Sequence, residues 1–217
     1  MTKVLFDELI TDYATGMSSP ELPVLSALQR ETHLKEMQAV MLSGHLQGSL
    51  LQMISKMVRP EKILEIGTFT GYSAICLAQG LAPGGTLHTI EIDEERREIA
   101  EKYFEAAGCA DRIVAHFRDA AACLMELKEA WDLVFIDADK VNYEHYFDLV
   151  IDDLKPGGLI IADNVLYEGK VLLPEQQQGK NEKAIHRFNL KIKNDNRVEV
   201  LILPVRDGIS VIRKVNN

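Results

Sequence analysis

The sequence predicts an α/β protein, with a sheet of about seven mostly parallel strands that ends in an antiparallel hairpin and follows an N-terminal helical extension. Two observations support this fold class. Five short apolar segments alternate with helical stretches between residues 62 and 163, as in a series of βαβ units. Two further apolar segments close the chain with only Arg206 and Asp207 between them, which is close enough for a hairpin. We expect residues 1–58 to form the extension and residues 59–217 the sheet domain, packed together as a single domain.

The first sixty residues show helical periodicity. A first helix carries an apolar face that consists of Leu5, Phe6, Leu9, Ile10 and Tyr13. Pro20 and Pro23 open a second helix, which we expect to end near Met41. A third helix presents an apolar face that consists of Leu46, Leu50, Leu51, Ile54, Met57 and Val58.

The strands follow after Pro60. We expect them at residues 62–67, 86–92, 112–117, 132–138, 158–163, 197–205 and 208–215. Helices are expected at residues 93–107, 142–154 and 180–194. Because a helix between two strands returns the chain to the same end of the sheet, the first five strands should run parallel.

Composition excludes several classes of protein. The chain has 217 residues, of which 47 % are hydrophobic and 26 % charged, a balance typical of a globular protein. The 33 acidic residues exceed the 24 basic ones and give a net charge of −9, which disfavours a surface committed to DNA or to an anionic membrane. No segment approaches the ~20 apolar residues of a membrane span, and charges interrupt the N-terminus where a signal peptide needs an apolar run. We expect a cytoplasmic protein.

The three cysteines, Cys76, Cys109 and Cys123, show no CxxC spacing. Neither a disulfide framework nor a thiolate zinc site is indicated. We expect them to be reduced side chains packed in the core.

A glycine turn follows the first predicted strand, in the segment EIGTFTG (residues 65–71). Gly67 permits a tight turn and a close backbone approach by a ligand. Glu91 ends the second strand twenty residues after Gly71, where a carboxylate can accept hydrogen bonds from both hydroxyls of a ribose. The third glycine of the dinucleotide fingerprint is missing, so a nucleoside-like ligand without phosphates suits this turn better. The alternative is a strand–helix connection with no ligand, beside a solvated carboxylate.

Polar side chains end two neighbouring strands of the predicted sheet. Asp137 closes the fourth strand, and Asp163 and Asn164 close the fifth. Their oxygens suit Mg²⁺ first, with Mn²⁺ and Ca²⁺ as alternatives. Lys140, three residues after Asp137, is a candidate general base because a nearby cation would lower its pKa. The alternatives are acidic residues that merely cap helices and a lysine at the surface.

Taken together, these segments resemble the cation-dependent class I O-methyltransferases of the caffeoyl-CoA and catechol type. The blocks EIGTFTGYS, IEIDEE, FIDADKVNY, LKPGGLIIADNVLYEG and LPVRDGISVIRK occur in the family order. The resemblance covers residues 35–214 and implies a Rossmann-like sheet, S-adenosylmethionine as methyl donor and a divalent cation. It also implies a homodimer, which would suit the apolar N-terminal helices.

The resemblance also implies roles for individual residues. An S-adenosylmethionine site is implied at Met41, Ser43, Glu65, Gly67, Ser73, Glu91, Ala122 and Asp137. The metal ligands would be Asp137, Asp163 and Asn164, with Asp137 and Lys140 as the catalytic residues and Lys140 as the base. Tyr143 and Tyr167 match positions that line the acceptor pocket. Ala120 departs from the glycine of many members, which could alter the backbone approach to the adenine.

The implied reaction moves a methyl group to a hydroxyl of a catechol-type phenolic such as caffeic acid or caffeoyl-CoA. Residues 170–197 carry seven basic and three acidic side chains, a charge of +4 that suits either a solvated helix or an anionic acceptor such as a coenzyme A thioester or RNA. A tRNA hydroxyuridine O-methyltransferase is therefore the alternative. An NAD-dependent dehydrogenase and a non-catalytic ligand-binding module are disfavoured, because neither explains the carboxylates together with Lys140.

Overall fold

A computed structural model of the chain describes the backbone of residues 2–215 and the side chains of residues 9–215. The helices in that range are α1 (Thr2–Met17), α2 (Pro23–Lys35), α3 (Gly44–Val58), α4 (Tyr72–Ala78), α5 (Arg97–Ala106), α6 (Ala120–Glu126), α7 (Tyr143–Val150) and α8 (Lys180–Asn194). The strands are β1 (Lys62–Ile66), β2 (Thr86–Glu91), β3 (Ile113–Phe117), β4 (Trp131–Ile136), β5 (Leu154–Asp163), β6 (Val198–Leu203) and β7 (Ile209–Lys214).

All seven strands join one sheet in the order β3-β2-β1-β4-β5-β7-β6. The pairs among β1 to β5 are parallel, whereas β7 lies antiparallel between β5 and β6. This confirms the predicted fold class, including the C-terminal hairpin. The strand order reverses between β1 and β4, which is where ligands bind in open α/β sheets.

Helices cover both faces of the sheet, because successive strand residues point to opposite sides. On one face Ile63 and Phe135 pack in a cluster with Leu28 and Leu51 from α2 and α3. The N-terminal helices therefore share a core with the sheet. On the other face the strands pack against α7 and α8, whose side chains include Phe188. The three cysteines are unpaired and buried, as expected.

Two predicted helices have different boundaries in the structure. The helix α2 ends at Lys35 and not near Met41, because Glu36 is extended and the chain turns to bury Leu42 and Ser43. A 3₁₀ turn occupies Ala39–Met41 instead. The helix expected at residues 93–107 begins as a 3₁₀ turn whose N-cap is Asp93, and α5 follows it.

The fifth strand and the hairpin also differ from expectation. The strand β5 starts at Leu154, which pairs with Trp131, so the helix before it ends at Val150 and not at residue 154. The pairing of β4 with β5 shifts register between Trp131 and Leu133, and it is regular from the pair Leu133–Leu159 onward. Residues 204–208 separate β6 from β7, a longer connection than the two residues expected. Pro204 contributes to this early end, because proline cannot donate a hydrogen bond to the ladder.

The apolar face of α1 is not covered within the described chain. Leu9, Ile10, Tyr13 and Met17 are each more than half exposed. The side chains of Leu5 and Phe6, which were predicted to share this face, lie outside the described residues. Across residues 2–215 none of the helices has the length and apolar character that crossing a bilayer requires.

Candidate active site

A cavity of about 920 Å³ opens at the carboxyl ends of β1, β2, β4 and β5. It therefore lies at the reversal of strand order. The predicted site residues that line it are Met41, Ser43, Gly67, Ser73, Glu91, Asp137, Lys140, Asp163, Asn164 and Tyr167. The fold thus brings the glycine turn and the carboxylates into a single cavity. Glu65, Ala122 and Tyr143 are absent from its wall.

The glycine turn lies against the end of β4. Gly67 has a φ of +105°, and a Cβ atom added there would lie 2.5 Å from the carbonyl oxygen of Asp137. The amides of Gly67 and Thr68 both donate to the carbonyl of Ile90. A glycine is required here because a side chain would separate β1 from β4 at the point where the cavity begins.

Glu91 is held at the end of β2 by donors on both carboxylate oxygens. Its Oε2 accepts from the backbone of Phe69 at 2.7 Å, and its Oε1 accepts from the backbone of Asp93 and from Arg96. Only 5 % of the residue is exposed. Oε2 can accept a further hydrogen bond, whereas the two donors on Oε1 already fill its acceptor sites, so an oriented anionic acceptor faces the cavity.

Glu65 is fully buried beneath this half of the cavity. Its Oε2 accepts from Thr89 at 2.5 Å, whereas Oε1 has no hydrogen-bond partner among the described residues. Burial raises the pKa of Glu65 to about 8, and the hydroxyls of Ser73 and Thr89 oppose this rise. A buried carboxyl with an unused oxygen is costly, and Glu65 is the predicted site residue at which this cost arises.

Beyond the end of β4, Lys140 lies between Asp137 and Tyr143. Its Nζ donates to Asp137 Oδ1 at 2.9 Å and to the Tyr143 hydroxyl at 2.7 Å. Burial disfavours the ammonium, but these two contacts outweigh it and raise the pKa of Lys140 above its ordinary value. Burial, together with the nearby Asp163, also raises the pKa of Asp137 to about 6, although Lys140 opposes that rise.

The carboxylate of Asp163 is 4 % exposed. Its Oδ1 accepts from the backbone amide of Asn164 at 2.8 Å, and its Oδ2 accepts from Gln47 at 2.7 Å. Asn164 adopts a left-handed conformation with a φ of +56° and lines the cavity next to Asp163. The side chain of Asp163 is therefore fixed before any ligand binds.

Like Glu65, two further predicted site residues do not line the cavity. Tyr143 was expected to line an acceptor pocket, but it is completely buried and its hydroxyl is directed at the carbonyls of Ile136 and Asp163. It serves as a brace between β4 and β5. Ala122 lies in the first turn of α6, where its amide donates to Asp119. Asp119 and Ala120 line the cavity instead.

Tyr167 does line the cavity. It is partly buried, has a φ of +46°, and its hydroxyl accepts from Asn181 at 2.9 Å. The residues on either side of Tyr167 bind to the β6–β7 connection, since the backbone amides of Leu166 and Glu168 donate hydrogen bonds to Asp207. The turn of the C-terminal hairpin thus closes the cavity near Tyr167.

The structure adds residues to the site that the sequence did not indicate. Gln47 reaches Asp163 from α3, 116 residues away in the chain, and Arg206 lines the cavity from the β6–β7 connection. Asp139 and Tyr146 line it as well, and they are joined by a hydrogen bond of 2.5 Å. Asp139 and Arg206 lie inside motifs noted above, but no periodicity or spacing pointed to Gln47.

A small basic pocket of about 360 Å³ adjoins the cavity and shares Asn142 with it. Lys180, Lys183 and Arg187 from α8 line it. Arg187 pairs with Glu144, whereas no ion pair forms at Lys180 or Lys183 among the described residues. Three other basic residues between residues 170 and 197 form ion pairs: Lys170 with Glu168, Lys191 with Asp148, and Arg197 with Asp195 and Asp152.

The donor chemistry at Asp137, Asp163 and Asn164 fits a hard divalent cation. Within residues 9–215 no three His, Cys, Asp or Glu side chains are arranged to hold a metal, and this candidate set instead combines two carboxylates with one amide. Burial is the main cause of the raised pKa of Asp137, and the nearby carboxylate of Asp163 adds to it. Such oxygen ligands are those that Mg²⁺, Mn²⁺ and Ca²⁺ prefer.

The fold and the site define a class of α/β protein with a cofactor cavity at the reversal of strand order. A family model described as O-methyltransferase matches residues 15–215. The chain therefore belongs to the O-methyltransferase family and is an S-adenosylmethionine-dependent enzyme.

Individual relatives agree with this assignment. The chain is 33 % identical to a caffeoyl-CoA O-methyltransferase of Stellaria longipes, over 88 % of this chain and 87 % of that protein. It is 32 % identical to the mouse catechol O-methyltransferase domain-containing protein 1, over 96 % and 81 %. An O-methyltransferase from Bacillus cereus, solved in complex with SAH, is 30 % identical, covers 95 % and 97 % of the two chains, and gives a TM-score of 0.88.

Proposed function

We propose that the enzyme transfers the methyl group of S-adenosylmethionine to a hydroxyl of a catechol-type phenolic, with a divalent cation bound at Asp137, Asp163 and Asn164. One observation carries this proposal. The carboxylate suited to a ribose, Glu91, and the cluster formed by the metal-ligand candidates and Lys140 line the same cavity. A methyl donor held at one side would therefore face a hydroxyl held at the other.

The cofactor would occupy the half of the cavity above β1 and β2. Glu91 would accept hydrogen bonds from the ribose hydroxyls, and Gly67 would let the ligand approach the backbone. Ser73 lines the same half, while Met41 and Ser43 close it from the N-terminal side. Glu65, whose Oε1 lacks a partner, does not line the cavity. It would influence the cofactor indirectly, by positioning Ser73.

The cation would bind at the ends of β4 and β5. When bound, a divalent cation would act as a Lewis acid and would lower the pKa of the hydroxyl that reacts. The chain itself contributes rigid ligands, since Asp163 is fixed through both oxygens and Asn164 is locked by its left-handed backbone. A vicinal diol matches such a site because both of its oxygens can be held at once.

Lys140 would accept the proton of the reacting hydroxyl at Nζ. It would first release its own proton to water in the open cavity, since the contacts with Asp137 and Tyr143 favour the ammonium. The hydroxyl oxygen then forms a bond to the methyl carbon as the bond from that carbon to sulfur breaks, and the sulfur leaves as a neutral thioether. Alignment of the two reactants in one cavity can contribute about 7–11 kcal/mol to lowering the barrier.

An assay of methyl transfer to catechol and caffeic acid, with Mg²⁺ or with EDTA, tests this proposal. We expect turnover with Mg²⁺, none in EDTA, and none for Asp163→Ala. Binding of S-adenosylhomocysteine to that variant, measured by calorimetry, should stay within about twofold of the wild type, because Asp163 lies on the acceptor side. Full activity in EDTA or in the variant would contradict the role of the cation.

The basic pocket supports a second candidate, an acceptor that carries phosphates. Lys180 and Lys183 lie next to the cavity without a carboxylate partner among the described residues, so they could bind an anionic group. A coenzyme A thioester would keep the catechol chemistry, whereas tRNA would replace it. The same assay with caffeoyl-CoA and with hypomodified tRNA distinguishes these two acceptors. Methylation of the RNA without methylation of any phenolic would favour the tRNA methyltransferase.

A further inference from the structure

A buried glutamine connects the candidate cation site to the C-terminal hairpin. Gln47 lies in α3 and is 1 % exposed. Its Nε2 donates to Asp163 Oδ2 at 2.7 Å, and its Oε1 accepts from Arg206 at 2.8 Å. One side chain therefore joins three segments that are far apart in the sequence.

The chemistry of the two neighbours determines which way the Gln47 amide points. A guanidinium can only donate hydrogen bonds, and an ionised carboxylate can only accept them. Oε1 must therefore face Arg206 and Nε2 must face Asp163. A reversal of the amide would lose both hydrogen bonds and leave polar atoms buried without partners, which is unfavourable.

Arg206 adopts a backbone conformation that normally favours glycine. Its φ is +51°, a left-handed conformation that is unfavourable for a residue with a side chain. Its guanidinium also lies 3.4 Å from the carbonyl of Leu42. A strained residue of this kind is retained where its side chain has a role, and here the side chain orients Gln47.

We propose that Gln47 and Arg206 are positioning residues that hold the Asp163 carboxylate in the orientation needed to bind the divalent cation. The proposal rests on the function proposed above. Gln47 fixes Oδ2, the backbone of Asn164 fixes Oδ1, and each oxygen keeps a lone pair for the cation. Partners behind a metal ligand commonly change metal affinity by about 10–100-fold.

The test measures Mn²⁺ binding by electron paramagnetic resonance in the presence of S-adenosylhomocysteine, together with the melting temperature of the apoprotein. The variants are Gln47→Leu, Arg206→Gly and Asp163→Ala. Gln52→Leu is the matched control, because Gln52 lies in the same helix and makes no side-chain hydrogen bond among the described residues.

We expect Gln47→Leu to weaken Mn²⁺ binding by about 10–100-fold and Arg206→Gly by about 10-fold. Arg206→Gly should melt close to the wild type, since the gain from glycine in the left-handed backbone offsets the loss of the hydrogen bonds that Arg206 donates. Arg206→Gly therefore distinguishes a loss of Mn²⁺ affinity from a loss of stability. If Gln47→Leu does not fold, this variant alone tests the positioning role. Gln52→Leu should bind Mn²⁺ like the wild type.

Two results would overturn the proposal, and they are distinguishable. If Asp163→Ala loses Mn²⁺ while the variants at Gln47 and Arg206 bind within twofold of the wild type, the positioning role is wrong and the cation site stands. If the wild type binds no Mn²⁺, or if Asp163→Ala binds it equally well, both the cation site and the positioning role fall.

Discussion

The two halves of the cavity are built in different ways. On the cofactor half, two glycines adopt left-handed conformations, Gly67 at +105° and Gly71 at +94°. On the acceptor half, the left-handed residues are Asn164, Tyr167, Glu168 and Arg206. Phe69 is an exception within the first half, with a φ of +51°. Left-handed backbone thus occurs at two glycines and one residue with a side chain beside the cofactor half, but at four residues with side chains along the wall of the acceptor half.

The difference reflects which parts of the chain form each half. Glu91 is held by donors within 22 residues of it, and most of these are backbone amides. Asp163 depends on Gln47, 116 residues away, which depends in turn on Arg206. The cofactor half is therefore a local construction, whereas the acceptor half exists only when distant segments have packed. We therefore expect substitutions in the acceptor half to leave the cofactor half intact.

The largest effect should come from Gly67→Ala. The added Cβ would meet the backbone of Asp137 at 2.5 Å, and the left-handed strain adds to this clash, so we expect a loss of about 3 kcal/mol or more of unfolding free energy. Gly84→Ala is the control, because Gly84 has a φ of +78° with open space around it; it should lose about 1–2 kcal/mol. Urea denaturation measures both, and equal losses would refute the role of close approach.

An intermediate effect should follow from Glu91→Gln. Removing the charged acceptor should weaken S-adenosylhomocysteine binding by about 10–100-fold, the equivalent of one charged hydrogen bond. Mn²⁺ affinity should change by less than about twofold if the two halves are independent. Calorimetry with each ligand measures this. Glu94→Gln is the matched control, because Glu94 is exposed and pairs only with Arg97 among the described residues. A parallel loss of Mn²⁺ binding would show that the halves are coupled.

The smallest effect should appear at a histidine pair outside both halves. His88 Nδ1 lies 3.0 Å from His116 Nε2 on adjacent strands. Burial lowers the pKa of both, and the pair lowers that of His88 further. The unfolded chain therefore binds more protons below about pH 6.5, so stability should fall as the pH drops through that value.

Melting temperatures between pH 7.5 and 5.5 measure the histidine effect. His88→Gln should reduce the acid loss without abolishing it, since the pKa of His116 is also lowered by burial. His186→Gln, at an exposed position of α8, is the control and should retain the full loss. An unchanged pH dependence in His88→Gln would show that this pair does not contribute to acid sensitivity.

Much of the molecule could be predicted from local patterns. Alternating apolar segments predicted the seven strands and the final hairpin, because burial on two helix-covered faces requires continuous apolar runs. The positions of Gly67, Glu91, Asp137 and Asp163 at strand ends predicted their convergence, since parallel strands bring their carboxyl ends to one edge. These inferences depend only on spacing along the chain.

The tertiary structure alone decided which side chains reach the cavity. Tyr143 lies within a matched motif, but packing buries it and directs its hydroxyl at the carbonyl of Asp163. Glu65 is likewise fully buried and lies beneath the cavity. Gln47 carried no signal, because its importance arises from partners 116 and 159 residues away. Spacing determines which end of the sheet a residue reaches, but orientation and burial depend on contacts between segments that no local pattern records.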